Sequence, residues 1–361
     1  MAISSIIAFL QKRKTIFFIL VFYLSNAYKL NGSFKTENIL RMKDPINMQS
    51  SFHSCDDCAT SHTRPLVGIL SQPGDGDGGN IIKRMGWNSS NVSYIAASYV
   101  KFVEMGGARA VPLIYNEPID TLLMKFAAIN GILFPGGSAS LKDGPFYRTA
   151  EKLFKMALEE NDNGDYFPVF GTCLGFELLC IIVSQDHNVL ERFSARAQPS
   201  TLLFKNDWSK QRNMFKWFPS RLIDKIGMEA LAMENHQYGI SPEKFKANKL
   251  LSSFFRVLTT SLDKNNKVYV STVEGRDYPV TGVQWHPEKN AFEWGVSTIP
   301  HSAEAIQVCQ SVANFLVSEA RKSNHTRSLE VEKNFLIYNH SPHYTGKDGN
   351  KNFEQSYVFV Q

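Results

Sequence analysis

The residues with the clearest chemical potential lie where a short apolar run gives way to a helical pattern. Phe167–Phe170 has the length of a buried strand, and from Leu174 onward apolar side chains recur at helical spacing. Cys173 therefore lies at a strand-to-helix turn, where Gly171 and Gly175 permit the sharp bend. Free N–H groups at the start of a helix favour a thiolate and can bind the oxyanion of a tetrahedral intermediate. The pattern predicts a nucleophilic cysteine rather than a small buried side chain.

A thiol nucleophile needs a base, and a histidine at the end of a second predicted strand can supply it. Pro287 disfavours helical geometry at His286 and so keeps the backbone there extended. Residues two apart on an extended chain face the same way, which lets Glu288 hold the ring of His286 in one tautomer. We therefore predict that Cys173, His286 and Glu288 act as nucleophile, base and orienting acid.

The backbone N–H groups of Gly137 and Leu174 are the predicted donors of an oxyanion hole. Gly137 lies in the turn Pro135–Ser138, where the absence of a side chain lets the backbone approach a developing charge. Leu174 directly follows the nucleophile at the start of the helix. An ordinary glycine turn would explain the sequence at Gly136 and Gly137 equally well.

Two charged residues close to these motifs are candidate substrate contacts. Glu177 follows Cys173 by one helical turn and lies on the same helix face. A solvated helix charge is an equally good interpretation of Glu177. Lys289 can pair with a substrate carboxylate, although surface solubility is the stronger interpretation of a single lysine.

Composition and charge limit the class of protein. The chain has 361 residues, of which 43% are hydrophobic and 20% charged, so one large domain with tails is expected. The net charge of +5 is modest and gives no argument for nucleic acid, but it is compatible with an anionic substrate. Five cysteines are too few for a disulfide scaffold. No cofactor or metal is expected.

The first residues are typical of a secretory signal peptide over residues 1–27. The basic cluster Lys12–Lys14 precedes the apolar run Thr15–Leu24, and small residues favour cleavage between Ala27 and Tyr28. The run is about ten residues long, whereas a membrane span needs about twenty. An apolar patch ahead of the basic cluster leaves a signal anchor open. Secretory entry agrees with N-glycosylation sequons at Asn31, Asn88, Asn91, Asn324 and Asn339.

Residues 28–63 are polar and without periodicity, and we predict a leader arm there. This arm contains a compact group of potential metal ligands, but it lacks the loop that separates ligand pairs in zinc sites. A flexible segment or a local disulfide is the favoured interpretation of this group, which comprises His53, Cys55, Cys58 and His62. The run Gly74–Gly79 lacks the ending of a phosphate-binding loop, and we predict a mobile loop.

Alternating strand and helix patterns predict the fold of residues 64–322. Such alternation with short links indicates an α/β fold in which helices cover both faces of a mostly parallel sheet. Sites in such sheets lie at the carboxyl ends of the strands. A polar tail over residues 323–361 is expected to pack on the domain through Phe335–Tyr338. Helices are expected over Tyr94–Met105, Ile119–Ala128, Tyr147–Glu160, Arg221–Ile226 and Ser302–Lys322, and strands over Pro65–Leu70, Ala108–Ile114, Gly131–Phe134, Phe254–Thr260, Val268–Val273 and Pro279–Gln284. A strand-rich excursion is expected around Phe193–Phe204.

Taken together, the motifs resemble those of a known family. Phe134–Gly137, Gly171–Gly175 and His286–Glu288 resemble the signature of class I glutamine amidotransferases, and most closely that of the γ-glutamyl hydrolases within this superfamily. Further segments that resemble γ-glutamyl hydrolases are Tyr94–Lys101, Gly171–Leu178, Gln284–Lys289, Leu336–Tyr338 and Ser341–Gly346. Asn235–Pro242 and Asn290–Trp294 are similar to plant members.

The resemblance implies a fold, an activity and a cellular context. The implied fold is a three-layer α/β/α sandwich of the flavodoxin-like, class I glutaminase type. The implied activity is hydrolysis of γ-glutamyl bonds in folylpoly-γ-glutamates by a homodimer in a vacuole or outside the cell, with no membrane partner after signal removal. Cys173, His286 and Glu288 match the catalytic positions, and His236 resembles a position near the site. Without the resemblance, a loop residue is the stronger interpretation of His236. A glutaminase that supplies ammonia to a synthase, and a non-catalytic binding module, are the alternatives.

Overall fold

A central sheet runs through the computed structural model, which describes residues 63–74, 92–205, 213–348 and 352–360. The strands of this part of the chain are β1 (Leu66–Leu70), β2 (Gln72–Pro73), β3 (Val92–Ala96), β4 (Arg109–Leu113), β5 (Ile132–Phe134), β6 (Val169–Thr172), β7 (Glu191–Ser200), β8 (Leu203–Phe204), β9 (Ala232–Gly239), β10 (Phe255–Leu262), β11 (Val268–Gly275), β12 (Val280–Val283) and β13 (Ser356–Val360).

The helices follow the strands along the chain. They are α1 (Ala97–Met105), α2 (Ile119–Ala128), α3 (Pro145–Asp162), α4 (Leu174–Ser184), α5 (Ser220–Met228), α6 (Pro242–Ala247), α7 (Lys249–Phe254), α8 (Lys289–Phe292), α9 (Ala303–Ala320) and α10 (Leu329–Phe335). Short 3-10 turns cover Met214–Trp217, Ile337–Asn339 and Thr345–Asp348. No helix within these described ranges is long and apolar enough to cross a membrane.

The central sheet has eight strands in the order β4-β1-β5-β6-β12-β11-β10-β8. The pairs from β4 to β12 are parallel, and the pairs beyond β12 are antiparallel. Gly171 of β6 is level with Phe134 of β5 and with Gly282 of β12. The carboxyl ends of these three strands therefore meet at one edge, where the segments bearing Gly137, Cys173 and His286 begin.

Helices cover both faces of the sheet, which confirms the predicted three-layer α/β/α fold. Alternate residues of β1 enter opposite cores: Val67 and Ile69 pack with α1 and α9, whereas Leu66 and Leu70 pack with α2, α3 and α4. This alternation buries every residue of the strand. The predicted helix Ile119–Ala128 has the bounds found in the structure, and the other strands and helices expected for the sheet are also present.

The prediction of one helix over Tyr94–Met105 is wrong for its first residues. Val92–Ala96 forms a strand, and the helix begins only at Ala97. This strand pairs antiparallel with Ser356–Val360, near the end of the chain, and with Gln72–Pro73. Pairing with a partner some 260 residues away is invisible to a local periodicity, which is why the helical spacing of apolar residues misled the prediction.

The tail after residue 322 contacts the domain at several points. Ile337 is fully buried in the core beneath α1 and α9, and Leu336 is also buried. The carboxylate of Glu332 pairs with Arg64 and with Arg109 at 2.7 and 2.5 Å. These contacts fix α10 beside the amino end of the sheet. The domain boundary at residue 322 stays a prediction.

Several predictions concern residues outside the described ranges. They include the signal peptide over residues 1–27, the leader arm apart from its last residue, and most of the glycine-rich run Gly74–Gly79. The sequons at Asn31, Asn88 and Asn91 also lie outside. Asn324 and Asn339 are described, and both are exposed.

Candidate active site

Cys173 occupies a strained turn between β6 and α4. Its backbone has φ +50° and ψ −104°, outside the regions that a non-glycine residue prefers. The Cys173 N–H donates to the carbonyl of Val283 at 2.7 Å, which ties the turn to β12. A Cβ on Gly175 would lie 2.0 Å from the carbonyl oxygen of Phe134, and one on Gly171 would lie 2.8 Å from the backbone of Gly175. Both flanking glycines are therefore required by close backbone approach, as the sequence indicated.

His286 and Glu288 form a buried pair just after β12. The Nδ1 atom of His286 lies 2.7 Å from Oε1 of Glu288, and both side chains are almost fully buried. A carboxylate at this distance holds the proton on Nδ1, so Nε2 carries the lone pair. Within the described residues Nε2 has no hydrogen-bond partner. The ring is thus oriented at one nitrogen and free to exchange a proton at the other.

The turn at Gly136 brings the thiol and the imidazole together. A Cβ built on Gly136 would lie 2.8 Å from Cε1 of His286 and 3.3 Å from Cβ of Cys173. Both side chains line one cavity of about 350 Å³. Segments that are more than 100 residues apart in the chain therefore bring the two side chains to the same turn. Cys173, His286 and Glu288 thus lie close together, and their roles as nucleophile, base and acid stay a prediction.

The two predicted oxyanion donors flank the thiol. Gly137 and Leu174 line a second cavity, of about 580 Å³, together with Cys173. Leu174 is the first residue of α4, where helix geometry leaves the N–H without an intrahelical acceptor. A Cβ on Gly137 would lie 2.4 Å from Oε1 of Gln72, so only glycine fits there. The same Gln72 oxygen accepts the N–H of Ala139 at 3.3 Å and holds the turn.

Burial and local charge set the protonation states of the reacting pair. Burial raises the pKa of Cys173 well above its ordinary value, and the carboxylates of Glu177 and Glu288 raise it further, whereas Lys289 acts in the opposite direction. Burial lowers the pKa of His286, against the effect of Glu288. The resting pair is therefore a thiol beside a neutral imidazole. This direction is opposite to the expected thiolate held by the helix N-terminus, because desolvation and the carboxylates of Glu177, Glu288 and Glu234 oppose it.

Glu288 behaves as the charged partner of this pair. Burial alone would raise the pKa of Glu288, but the charge of His286 and the hydrogen bond to it lower the pKa below its ordinary value. The carboxylate thus remains ionised and can stabilise an imidazolium that forms during proton transfer.

Glu177 is buried rather than solvated. It points into the larger cavity beside Cys173, and its Oε1 accepts a hydrogen bond from Nε2 of Gln284 at 3.1 Å. Burial raises the pKa of Glu177 to about 7, although His236 and Gln284 lower it. The interpretation as a solvated helix charge is therefore wrong.

His236 also lines the larger cavity and lies on a strand that sequence reasoning did not find. It belongs to β9, which pairs antiparallel with β7. Its Nδ1 lies 2.7 Å from the carbonyl of Tyr238, and its Nε2 lies 3.2 Å from Oε2 of Glu234. The interpretation of His236 as a loop residue is wrong.

Lys289 is buried at the smaller cavity. Its Nζ donates to the carbonyl of Asn352 at 3.2 Å and lies 5.1 Å from the ring centroid of Phe353. The interpretation of Lys289 as a surface residue that aids solubility is wrong, since the residue is only 3% exposed beside the thiol.

Two further residues at the site were missed by sequence reasoning. Tyr99 lies under the turn at Gly136, and Arg196 lines both cavities. Arg196 precedes Ala197, whose φ of +49° is held by a hydrogen bond from its N–H to Asn235. Tyr99 gave only the signal of an apolar helix position. Arg196 gave none, because the pairing of β7 with β9 determines where it points.

Comparison with known proteins places this geometry in a family. The family model of peptidase C26 matches residues 65–288, a range that includes the thiol, the imidazole and the acid. The chain belongs to the peptidase C26 family. It is 51% identical over 299 residues to gamma-glutamyl hydrolase 1 of Arabidopsis thaliana, covering 82% of this chain and 83% of that protein. It is 46% identical to gamma-glutamyl hydrolase of Glycine max, covering 88% and 92%.

Animal relatives are similar over nearly the same length. Gamma-glutamyl hydrolase of Mus musculus is 41% identical, covering 82% of this chain and 90% of that protein. Among solved structures, the glutaminase domain of Trypanosoma brucei CTPS has a TM-score of 0.45 at 14% identity, covering 73% of this chain and 98% of that chain. The predicted resemblance to γ-glutamyl hydrolases is confirmed.

Proposed function

We propose that this peptidase C26 member is a cysteine-dependent γ-glutamyl hydrolase that cleaves folylpoly-γ-glutamates. The observation that carries the proposal is the convergence of Cys173 and His286 at Gly136, with Nε2 free and Nδ1 held by Glu288. The names of the relatives at 41–51% identity supply the bond that is cleaved.

The reaction follows from these positions. As the sulfur of Cys173 attacks the γ-carbonyl carbon, Nε2 of His286 takes the thiol proton and the carbonyl π electrons move to oxygen. The N–H groups of Gly137 and Leu174 stabilise that oxyanion. Collapse breaks the C–N bond, and Nε2–H protonates the leaving amine. Water then attacks the thioester, gives a proton to Nε2, and releases the carboxylic acid and the thiol.

The charges around the thiol suit a substrate with many carboxylates. Lys289 lines the smaller cavity, and Arg196 lines both cavities, together with Cys173. A γ-linked glutamate carries a free α-carboxylate at every residue, so a chain that passes the thiol presents anions to both cations. Glu177 and His236 face the same chain in the larger cavity and can bind its amide groups.

Replacing Cys173 by Ala tests the function. Purified wild type and Cys173→Ala are incubated with a defined penta-γ-glutamate folate, and the products are identified by mass spectrometry. Wild type should release glutamate or short γ-glutamyl chains, and Cys173→Ala should release none while keeping its circular dichroism spectrum. Turnover by Cys173→Ala near that of wild type contradicts the proposal. Ammonia release from glutamine that exceeds cleavage of the penta-γ-glutamate would favour a glutaminase instead.

We also propose the context of the enzyme. The predicted signal peptide and the exposed sequon at Asn324 support passage through the secretory pathway to a vacuole or the outside of the cell. The expected state is a homodimer. N-terminal sequencing of the mature protein should begin at Tyr28, glycosidase treatment should reduce its mass, and light scattering should give twice the mass of one chain. An intact N-terminus would contradict the predicted signal peptide, and the mass of a single chain would contradict the homodimer.

A further inference from the structure

Tyr99 lies at the centre of the site without reaching the cavities. It is the third residue of α1, and its side chain is 1% exposed. A Cβ built on Gly136 would lie 2.6 Å from the hydroxyl oxygen of Tyr99. This distance is shorter than the distances from the same Cβ to His286 and to Cys173. The hydroxyl thus lies against the turn that both His286 and Cys173 approach.

The hydrogen bonds of this hydroxyl link two parts of the catalytic machinery. Tyr99 Oη accepts the N–H of Gly136 at 2.8 Å and lies 3.5 Å from Nδ1 of His286. Nδ1 already donates to Glu288, so it cannot accept the tyrosine proton. The charge of Glu288 acts on the hydroxyl, but no hydrogen bond joins the two groups in the described residues, where Oε2 of Glu288 has no partner.

The hydroxyl keeps its proton at any physiological pH. Burial raises the pKa of Tyr99 well above its ordinary value, and the charges of Glu288 and Cys173 raise it further. A phenol that stays neutral can still accept a hydrogen bond from an amide. Tyr99 therefore remains an acceptor for the N–H of Gly136.

The turn needs such an anchor because glycine does not fix its own backbone. Gly136 and Gly137 can rotate their peptide planes at little steric penalty, and a rotated plane would turn the Gly137 N–H away from the thiol. Gln72 holds the far side of the turn through Ala139. Tyr99 holds the near side, where the oxyanion forms.

We infer that Tyr99 is a positioning residue that orients the Gly136–Gly137 turn so that the Gly137 N–H faces the oxyanion. This inference rests on the proposed acyl-transfer function. Tyr99 does not touch the substrate, so its loss should reduce kcat and leave KM largely unchanged. The distance from Nδ1 to Glu288 does not depend on the hydroxyl, so proton transfer from the thiol should be retained.

The test compares Tyr99→Phe with wild type in three measurements. They are kcat and KM on a penta-γ-glutamate folate, the inhibition constant of a glutamyl aldehyde whose hemithioacetal oxygen occupies the oxyanion position, and the alkylation rate of Cys173 by iodoacetamide. We expect kcat to fall about 10- to 100-fold, with KM within threefold of wild type. The aldehyde should bind correspondingly more weakly, and the alkylation rate should change less than threefold.

Control variants separate this role from a merely structural one. Tyr278→Phe removes a hydroxyl that donates to Asp162 at 2.8 Å on the surface, and it should leave all three measurements unchanged. 4-Fluorophenylalanine at position 99 restores the volume but accepts hydrogen bonds poorly, and should act like Phe. This second variant also serves if Tyr99→Phe does not fold.

The outcomes divide cleanly. An unchanged kcat, or a parallel loss of kcat and alkylation rate, overturns the role of Tyr99. A selective loss of kcat and of aldehyde binding supports it. Absence of γ-glutamyl hydrolysis by wild type is a different result, because it would refute the proposed function and not the contact of Tyr99 with the turn.

Discussion

Two histidine–carboxylate pairs lie beside the same thiol and differ in what their rings can do. His286 and Glu288 are 2.7 Å apart, and His236 and Glu234 are 3.2 Å apart. In both pairs the two residues are separated by one position and are almost fully buried.

The two pairs differ in the ring nitrogen that the acid contacts. His286 uses Nδ1 for its acid and keeps Nε2 without a hydrogen-bond partner among the described residues. His236 places Nδ1 against the carbonyl of Tyr238 at 2.7 Å, and its Nε2 lies 3.2 Å from Oε2 of Glu234 but, like Nε2 of His286, has no hydrogen-bond partner among the described residues. The acid therefore contacts Nδ1 in the first pair and lies against Nε2 in the second. The comparison shows that the same spacing of a histidine and an acid can leave Nε2 open or place a carboxylate oxygen against it.

The largest expected difference between the two pairs is tested by replacing each histidine in turn. His286→Asn should lower kcat at least about 10³-fold, because it removes the imidazole nitrogen that takes the thiol proton. The same change at His236 is the matched control and should lower kcat less than about tenfold. Steady-state kinetics on a penta-γ-glutamate folate measures both. Equal losses in the two variants would contradict the assignment of the base.

The acid of the first pair should have the next largest effect. Glu288→Gln keeps the shape but removes the charge that stabilises the imidazolium and fixes the tautomer, so kcat should fall about 10²-fold. Glu234→Gln, the matched change in the second pair, should have a smaller effect on kcat. A Glu288→Gln enzyme with wild-type kcat would show that the ring needs no orienting acid.

The pH dependence of thiol alkylation sharpens the claim that the resting pair is neutral. Because the pKa of Cys173 is raised, the thiolate fraction should increase about tenfold per pH unit between pH 6 and 8.5, without a plateau. Iodoacetamide alkylation followed by peptide mass spectrometry measures this, and Cys173→Ala gives the background. A rate independent of pH over this range would show a preformed thiolate–imidazolium pair.

Glu177, which lines the larger cavity with Cys173 and His236, should mainly affect stability. Its pKa is about 7 in the folded protein, against an ordinary value of 4.5. The folded state therefore binds the proton more tightly than the unfolded state, so the free energy of unfolding should fall as pH rises from about 4.5 through 7. Relative to Glu177→Gln, wild type should lose about 3 kcal/mol over this range. Urea unfolding of both proteins at pH 4 and pH 8 measures the free energies of unfolding. An equal change with pH in wild type and Glu177→Gln would contradict the prediction.

Local features of the chain were predictable because their causes are local. The glycines around Cys173 act within a few residues, and they gave a correct expectation of a sharp bend. The contact of His286 with Glu288 was also expected, but the expected extended chain is wrong, because Pro287 and Glu288 form a turn and Glu288 has helical geometry. The helix Ile119–Ala128 was likewise predicted from its own periodicity.

Features that depend on distant segments were not predictable. Val92–Ala96 is a strand because Ser356–Val360 pairs with it, and His236 is buried because β7 lies against β9. The raised pKa of Cys173 depends on the burial that the folded chain imposes, not on the start of the helix alone. Sequence patterns thus located the residues that the fold brings together at the site, while the fold determined the direction of their pKa shifts.

The most direct test of the account is to observe the covalent intermediate. Wild type is mixed with a penta-γ-glutamate folate, quenched in acid within milliseconds to seconds, digested and examined by mass spectrometry. We expect a γ-glutamyl or pteroyl-γ-glutamyl thioester on the peptide that contains Cys173, absent from Cys173→Ala and formed much more slowly in His286→Asn. Full turnover without an adduct on Cys173 would contradict the account, if the same conditions detect an adduct on another residue.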